Sequence, residues 1–337
     1  MPERTSRRKR HNPYAGLIHL LNQRYQDEWR RAEAIQEELD CIRGSGFWKA
    51  VAWVRALKQH LWPVRPSPAP PLTERAVPFV ADVQDAPLRG RVSIIIPFRD
   101  RPELLRNCVR SLRLSTYRDF EVILVDNGSV EPQTRRLLSR LRTRKRFRIV
   151  SRPAEFNFSR LCNAGAAEAT GTHLLFLNND TEVLSRDWLE NLLRLAGDPR
   201  VGAVGATLLY PNRTIQHAGI FPRADGQWVH PYRGYKENEP GENGELRAIR
   251  SVPAVTGACL IITNKLFQSL GGFDERYPVA HNDVDLCERL RRDGLLVVIS
   301  PHARLFHYEG LSRGIGYDAP APSASAGPQR LPIFTPP

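Results

Sequence analysis

The sequence predicts an α/β protein with a mostly parallel sheet flanked by helices, preceded by a helical N-terminal arm. Three observations carry that expectation. Short β-branched runs alternate with helical stretches from about Arg91 onward, and three of these runs end directly in a polar cluster. A length of 337 residues with 41% hydrophobic content is enough for one large α/β domain. Such alternation with apolar strands implies βαβ units, whose sheet is parallel and covered by helices.

The arm spans residues 1–62. Ile18, Leu21, Tyr25, Ala32, Ile35, Leu39 and Ile42 recur at helical spacing between Tyr14 and Ile42, interrupted by Glu28, and predict one long helix. Its seam could join a second copy of the chain, as a homo-oligomer, or pack on the chain's own catalytic region. Beyond Gly44-Ser45-Gly46, Phe47, Val51, Val54, Leu57 and Leu61 mark a second helix that ends at Pro63. It carries Trp48, Trp53 and Trp62 beside Lys49, Arg55 and Lys58, with Arg4 to Arg10 nearby. That composition suits an anionic membrane surface, and equally an ordinary docked helix. Residues 63–90 are proline-rich and aperiodic, which predicts an extended linker. The catalytic domain is expected over 91–318, and the Pro, Ala and Ser tail 319–337 is expected to be disordered.

Within the domain the elements follow in order. Val92 to Pro97 is a strand, Pro102 to about Leu114 a helix, Phe120 to Val125 a strand and Pro132 to Leu141 a helix. Phe147 to Val150 gives a third strand, Arg160 to Ala169 a helix, and His173 to Leu177 a fourth strand. A later strand is expected over Leu295 to Ile299, after a helix through Leu286 and Leu290. Polar residues follow the first, second and fourth strands: Pro97-Phe98-Arg99-Asp100, Asp126-Asn127-Gly128-Ser129 and Asn178-Asn179-Asp180. Turn chemistry accounts for any one cluster alone. Three at one sheet edge point to a ligand site, since open sheets of this kind bind ligands at the carboxyl ends of their strands.

These segments, with Phe156-Asn-Phe-Ser-Arg-Leu-Cys-Asn-Ala-Gly165, Gly271-Gly-Phe-Asp-Glu275 and Asn282-Asp-Val-Asp-Leu-Cys287, stand in the order found in family 2 glycosyltransferases. The resemblance covers roughly Arg91 to Gly314 and is closest to rhamnosyltransferase-like bacterial proteins of surface polysaccharide synthesis. It implies a GT-A, Rossmann-like fold and an inverting transfer from a nucleotide-diphosphate sugar donor to a saccharide or lipid-linked saccharide acceptor.

The same resemblance assigns roles. Asp126 resembles the acid that holds the nucleobase, and Asp180 the last residue of a DxD motif that binds Mg²⁺ or Mn²⁺ on the donor diphosphate. Hard cations with oxygen ligands suit phosphate chemistry. Asn178 stands where the first acid of that motif often is. Pro97, Phe98, Arg99, Arg160, Asn163, Asn178 and Asn179 are placed with the donor; Arg99 departs from the aromatic residue of many relatives. Asp283 resembles the base that takes the acceptor's proton, with Asn282 in place of the usual glutamate; Asp283 and Asp285 also fit as first-turn acids of a helix. Thr256, Gly257, Asn282 and Asp285 are expected on the acceptor side. His307 resembles a late metal ligand. His217, His230, His281 and His302 carry no metal spacing and receive no ligand role. The stretch Gln216 to Arg247, with Trp228, Tyr232 and Tyr235, reads either as a lid over the cleft or as a loop anchored by core aromatics.

The five cysteines show no CxxC spacing, which fits a reducing compartment. The net charge of +13 calls for an anionic partner or surface. The basic residues are read as lying mainly in the arm and the helices flanking the linker, and no nucleic-acid motif is present, so no nucleic-acid partner is expected. A nucleotide-sugar pyrophosphorylase would carry a glycine-rich phosphate loop after the first strand, where Pro97-Phe98-Arg99-Asp100 stands. A non-catalytic protein binding carbohydrate or nucleotide sugar on the same scaffold is the alternative function. No stretch approaches the roughly 20 apolar residues of a membrane span, so the expectation is a cytoplasmic protein, with peripheral association on the inner face of the cytoplasmic membrane as its further form.

Overall fold

The computed structural model describes residues 72–81, 88, 90–241 and 244–308. The two predicted arm helices, the first part of the linker and the tail lie outside the described residues. The chain divides into two units, Met1–Ala69 and Pro70–Pro337, and the description concerns the second.

Strand β1 is Val77–Pro78, followed by β2 Val92–Phe98, α1 Pro102–Ser111, β3 Phe120–Asp126, α2 Pro132–Arg142 and β4 Phe147–Ser151. Then come α3 Phe158–Ala167, β5 His173–Leu177, β6 Thr181–Val183, α4 Trp188–Ala196, β7 Val201–Leu209 and β8 Ile215–His217. The hairpin β9 Phe221–Pro222 and β10 Trp228–Val229, β11 Arg250–Ser251, β12 Cys259–Thr263, α5 Asn264–Ser269, α6 Asn282–Arg292 and β13 Leu296–His307 complete the domain. The main sheet runs in the order β1-β11-β13-β7-β12-β5-β2-β3-β4. Its β4-β3-β2-β5 half is parallel throughout. The other half is mixed: β12 runs antiparallel to both β5 and β7, and β13 runs parallel to β7.

Strand alternation sorts the core into two layers. Ile94, Ile96, Val122, Leu124, Leu175 and Leu177 pack with Leu105 and Cys108 of α1, Leu138 and Leu141 of α2 and Trp188 of α4. Their neighbours Ile95, Ile123, Val125, Leu174 and Phe176 face the other way, onto Leu161 and Cys162 of α3, Phe267 of α5 and Leu286 and Leu290 of α6. The period of two along each strand therefore buries both faces of the sheet. Gly165 lets α3 sit close: a Cβ there would lie 2.5 Å from the Ile95 side chain and 2.9 Å from that of Val125. Among the described residues, the four cysteines are buried and free.

The structure differs from the sequence reading in several places. Residues 72–81, assigned to the linker, are docked on the domain: β1 pairs with β11, the Phe79 N–H donates to the Ile249 carbonyl, and Arg291 pairs with Glu74. Backbone pairing there needs no apolar period, so composition hides it. Val252 to Ala258, which holds Thr256 and Gly257, is an irregular connector, and strand β12 begins at Cys259. The last strand extends through His307 instead of stopping at Ile299. In the long loop, the Tyr232 ring packs 6.2 Å from Phe221, centroid to centroid, with Arg250 stacked over it at 5.1 Å, which favours the anchored reading.

Candidate active site

The site forms where β2, β3 and β5 end. At the end of β2, Asp100 and Arg101 both take left-handed backbone, φ 52° in each case. Such geometry is uncommon outside glycine, and hydrogen bonds from the next loop hold it. Asp100 N–H donates to Ser129 Oγ (2.8 Å), and Asp100 Oδ1 accepts the N–H groups of Val130 (2.9 Å) and Glu131 (2.8 Å). Asp126 closes its own turn by accepting the Ser129 N–H at 2.8 Å. The two polar clusters thus brace one another.

Between these loops and the end of β5 lies a cleft of about 210 Å³ lined by Pro97, Phe98, Arg99, Phe156, Phe158, Asn178 and Asn179. Five of the residues expected on the donor meet here. Phe156 and Phe158 were not singled out as site residues, although an aromatic left 38% exposed at Phe156 is the signal that finds it. Asn179 is buried, and its Nδ2 has no hydrogen-bond partner among the described residues. Leaving a buried donor unsatisfied costs about 1–3 kcal/mol, which an acceptor oxygen in the cleft would offset.

Arg160 and Asn163 do not line this cleft. Arg160 is exposed and donates to the Glu155 carbonyl at 2.6 Å. The Asn163 carboxamide is spent on Phe273: Nδ2 donates to its carbonyl and Oδ1 accepts its N–H, each at 2.9 Å. It braces the Gly271-Gly272 turn against α3, and a Cβ on Gly272, whose φ is +77°, would lie 2.6 Å from Asn163 Oδ1. The sequence shows both residues on a helix that starts at the site; it does not show which way they face.

Beside the cleft, β6 pairs antiparallel with β13, with Thr181 opposite His307. This register brings His307 Nε2 to 3.2 Å from Asp180 Oδ1 and 3.2 Å from Asn178 Nδ2. Gln216 Oε1 lies 2.9 Å from His307 Nδ1. A carboxamide oxygen can only accept, so Nδ1 carries the proton and Nε2 keeps its lone pair toward Asp180. The Asn178 amide donating to Nε2 agrees with that tautomer. An anionic oxygen and a neutral imidazole nitrogen converging in this way fit a divalent cation. Among the described residues no three His, Cys, Asp or Glu side chains gather as a metal site. Asp180 and His307 are the two donors that the described residues bring together there.

Asp283 lies in the first turn of α6, whose N-cap His281 is left-handed at φ 66°. Its Oδ2 accepts the Gly257 N–H at 3.0 Å, and its Oδ1 accepts the Val284 N–H at 2.9 Å. Two backbone donors thus fix the carboxylate. Thr256 N–H donates to His217 Nε2 at 3.4 Å, and Thr256 Oγ1 accepts from Ala258 N–H at 3.3 Å. Two residues expected on the acceptor are turned to other work. Asn282 is buried and donates to the Tyr277 carbonyl at 3.4 Å. Asp285 pairs with Arg289 at 2.8 Å, and that guanidinium also holds the Leu270 and Gly272 carbonyls.

His217 was set aside on spacing, yet it is buried, lies 3.1 Å from His230 (Nδ1 to Nδ1) and touches the Thr256 backbone. Burial first, then His230, Arg250 and His307, hold it well below the ordinary imidazole range. The ring is therefore uncharged at neutral pH where it meets the Thr256 N–H.

Comparison with known proteins agrees with this geometry. The chain is 42% identical over 276 residues to the O-antigen biosynthesis protein RfbC of Myxococcus xanthus, covering 80% of this chain and 21% of that protein. It is 28% identical over 249 residues to an N-acetylglucosaminyl-diphospho-decaprenol L-rhamnosyltransferase of Mycobacterium tuberculosis, covering 66% and 76% respectively. The chain thus spans about a fifth of the first relative. Among solved structures, GalNAc-T7 with UDP, GalNAc and Mn²⁺ superposes with a TM-score of 0.56 at 17% identity, covering 65% of this chain and 44% of that one, a likeness of fold. The sequence model described as "Glycosyl transferase family 2" matches residues 93–269, more than half the chain, and the chain belongs to that family.

Proposed function

We propose that the chain is an inverting, metal-dependent glycosyltransferase of bacterial cell-surface polysaccharide synthesis. It moves a sugar from a nucleotide-diphosphate donor to a saccharide or lipid-linked saccharide acceptor. The observation that carries this reading is the meeting of Asp180 and His307, 3.2 Å apart, beside a cleft into which the end of β5 presents Asn178 and Asn179. The names of the two relatives agree with it.

In this reading the nucleobase lies against Asp126 and the aromatic wall of Phe98, Phe156 and Phe158, and Arg99 faces the nucleotide. Asn179 donates to an oxygen of the donor. Asp180 and His307 would hold Mg²⁺ or Mn²⁺, which when bound neutralises the diphosphate leaving group. Asp283 takes the proton of the acceptor hydroxyl. The hydroxyl oxygen forms a bond to the anomeric carbon from the face opposite the diphosphate, and the bond to the diphosphate oxygen breaks with its electron pair on that oxygen. Attack from the opposite face inverts the centre. Thr256 and Gly257 line the acceptor side, where the Gly257 N–H holds the base in position.

Among the described residues, no helix is long and apolar enough to cross a membrane. A cytoplasmic setting, on or near the inner membrane face, belongs to this proposal. Purified protein incubated with a panel of nucleotide sugars and Mg²⁺ or Mn²⁺ tests it through nucleotide release that depends on an acceptor saccharide. Tight donor binding with no release, under every donor and acceptor tried, would support a binding protein instead.

A further inference from the structure

The helix α2 and the turn after it carry a charge pattern that the transfer reaction does not use. Between Pro132 and Arg148 there are eight Lys or Arg residues and no Asp or Glu. The basic residues were read as lying mainly in the arm and the linker-flanking helices; this stretch of the catalytic domain corrects that reading. Thr134, Leu138 and Leu141, at helical spacing, are the buried side of α2. Arg135, Arg136, Arg140, Arg142, Arg144 and Lys145 are all exposed. Among the described residues, none of these six side chains forms an ion pair or hydrogen bond with another group. None of them lines the cleft.

Like charges one turn apart, such as Arg136 and Arg140, destabilise a helix. A strip of six exposed cations without carboxylates is therefore unfavourable in the isolated protein, and an anionic surface offsets the cost. Exposed aromatic rings, which stack on the bases of single-stranded nucleic acid, are missing from the described residues of the strip. The helix packs Leu138 and Leu141 into the core and leaves its arginines exposed to solvent. Guanidinium pairs with phosphate in bidentate fashion, and clustered Lys and Arg are drawn to anionic leaflets.

We infer that the strip from Arg135 to Lys145 is a docking surface for an anionic phospholipid bilayer. It belongs to the catalytic domain itself and is separate from the Trp-bearing segment of the arm. Because α2 begins just after the loop of Asp126, docking along it would set the donor edge of the sheet at a fixed attitude to the bilayer.

Vesicle flotation of the full chain tests this, comparing phosphatidylcholine vesicles with vesicles that also contain phosphatidylglycerol. The parent should float only with the anionic vesicles and should be released by high salt. A full chain with Arg135, Arg136, Arg140, Arg142, Arg144 and Lys145 all changed to Gln should lose at least about tenfold in vesicle-bound fraction. Its melting temperature should equal or slightly exceed the parent's, because like-charge repulsion is relieved, and its nucleotide release in solution should match the parent. A second variant, with the five arginines changed to Lys, should retain most of the binding and so separates lost charge from lost folding. The inference is overturned if the Gln variant floats as the parent does, which would assign any membrane binding to the arm. It is also overturned if the parent ignores anionic vesicles while binding duplex DNA through these six residues.

Discussion

Gln216 accepts a hydrogen bond from His307 at 2.9 Å, and so selects the imidazole tautomer whose lone pair faces Asp180. Gln216 does not itself reach the cleft; it works through the ring. Changing Gln216 to Leu keeps the bulk and removes the acceptor, and Mn²⁺ affinity measured by titration calorimetry should fall about 10-fold to 100-fold, the range for lost outer-shell partners. His307→Ala should lose more. Unchanged affinity in Gln216→Leu would mean that the tautomer is set elsewhere.

Asp180 contributes the anionic oxygen of the pair. Asp180→Asn preserves size, so the variant should melt near the parent temperature while losing divalent-dependent nucleotide release. Turnover equal to the parent in excess Mg²⁺ or Mn²⁺ would remove Asp180 from the metal site.

Asp283→Asn replaces a proton acceptor with an amide, and one of the two backbone donors, Gly257 or Val284, would then face an NH₂ group. The turnover rate should drop about 10²-fold or more while donor binding persists. Asp285→Asn breaks a partly exposed ion pair with Arg289, at a cost of about 1 kcal/mol or less. It should shift melting slightly and leave turnover near the parent value. The reverse ranking of the two variants would exchange their roles.

Phe156 is one of two aromatics of the cleft wall, with Phe158, that sequence reading left unassigned. Because it is 38% exposed, Phe156→Ala should leave the melting temperature almost unchanged. Its effect belongs on the donor: KM for nucleotide sugar should rise severalfold with kcat less affected. An unaltered KM would place the donor away from this wall.

His217 supplies a pH dependence with a definite sign. Its native pKa is held well below 6.5, whereas the unfolded chain titrates near the ordinary value. Below about pH 6.5 the unfolded state binds a proton that the native state refuses, so the stability present above that pH is lost as pH falls. The slope for one such proton is about 1.4 kcal/mol per pH unit. In thermal melts between about pH 5 and 7, His217→Gln should flatten the profile; curves of identical shape would show that another group is responsible.

The parallel half of the sheet was legible because β2, β3 and β5 are continuous apolar runs closed by polar residues, a local pattern. The mixed half was not. β12 and β7 are also apolar, but nothing in their composition says that one runs antiparallel between two neighbours. At the site, motif order singled out Asp180 and Asp283 as candidates, and the structure sets Asp180 beside His307 and Asp283 against the Gly257 N–H. Asn163, Asn282 and Asp285, expected on the donor or acceptor, are polar residues of these motifs whose side chains bond within the fold. Motif position locates a residue near a site; only packing decides whether its hydrogen bonds point to ligand or to backbone. Gln216 and His217 were hidden for the opposite reason, since β8 is three residues long and the partners of these side chains, His307 and the Thr256 backbone, are far along the chain.

The pairing of β6 with β13 joins Thr181 to His307 across the length of the domain. His307 is the final residue of the final described strand. A nascent or truncated chain that stops before it has Asp180 but cannot complete the pair, however well the parallel half has folded. Any cation held there binds the finished domain in preference to its precursors, and so adds stability only once the last strand is in register. Divalent affinity in this sense reports a completed sheet, because the polar cluster that holds Asp180 cannot act until β13 is in register.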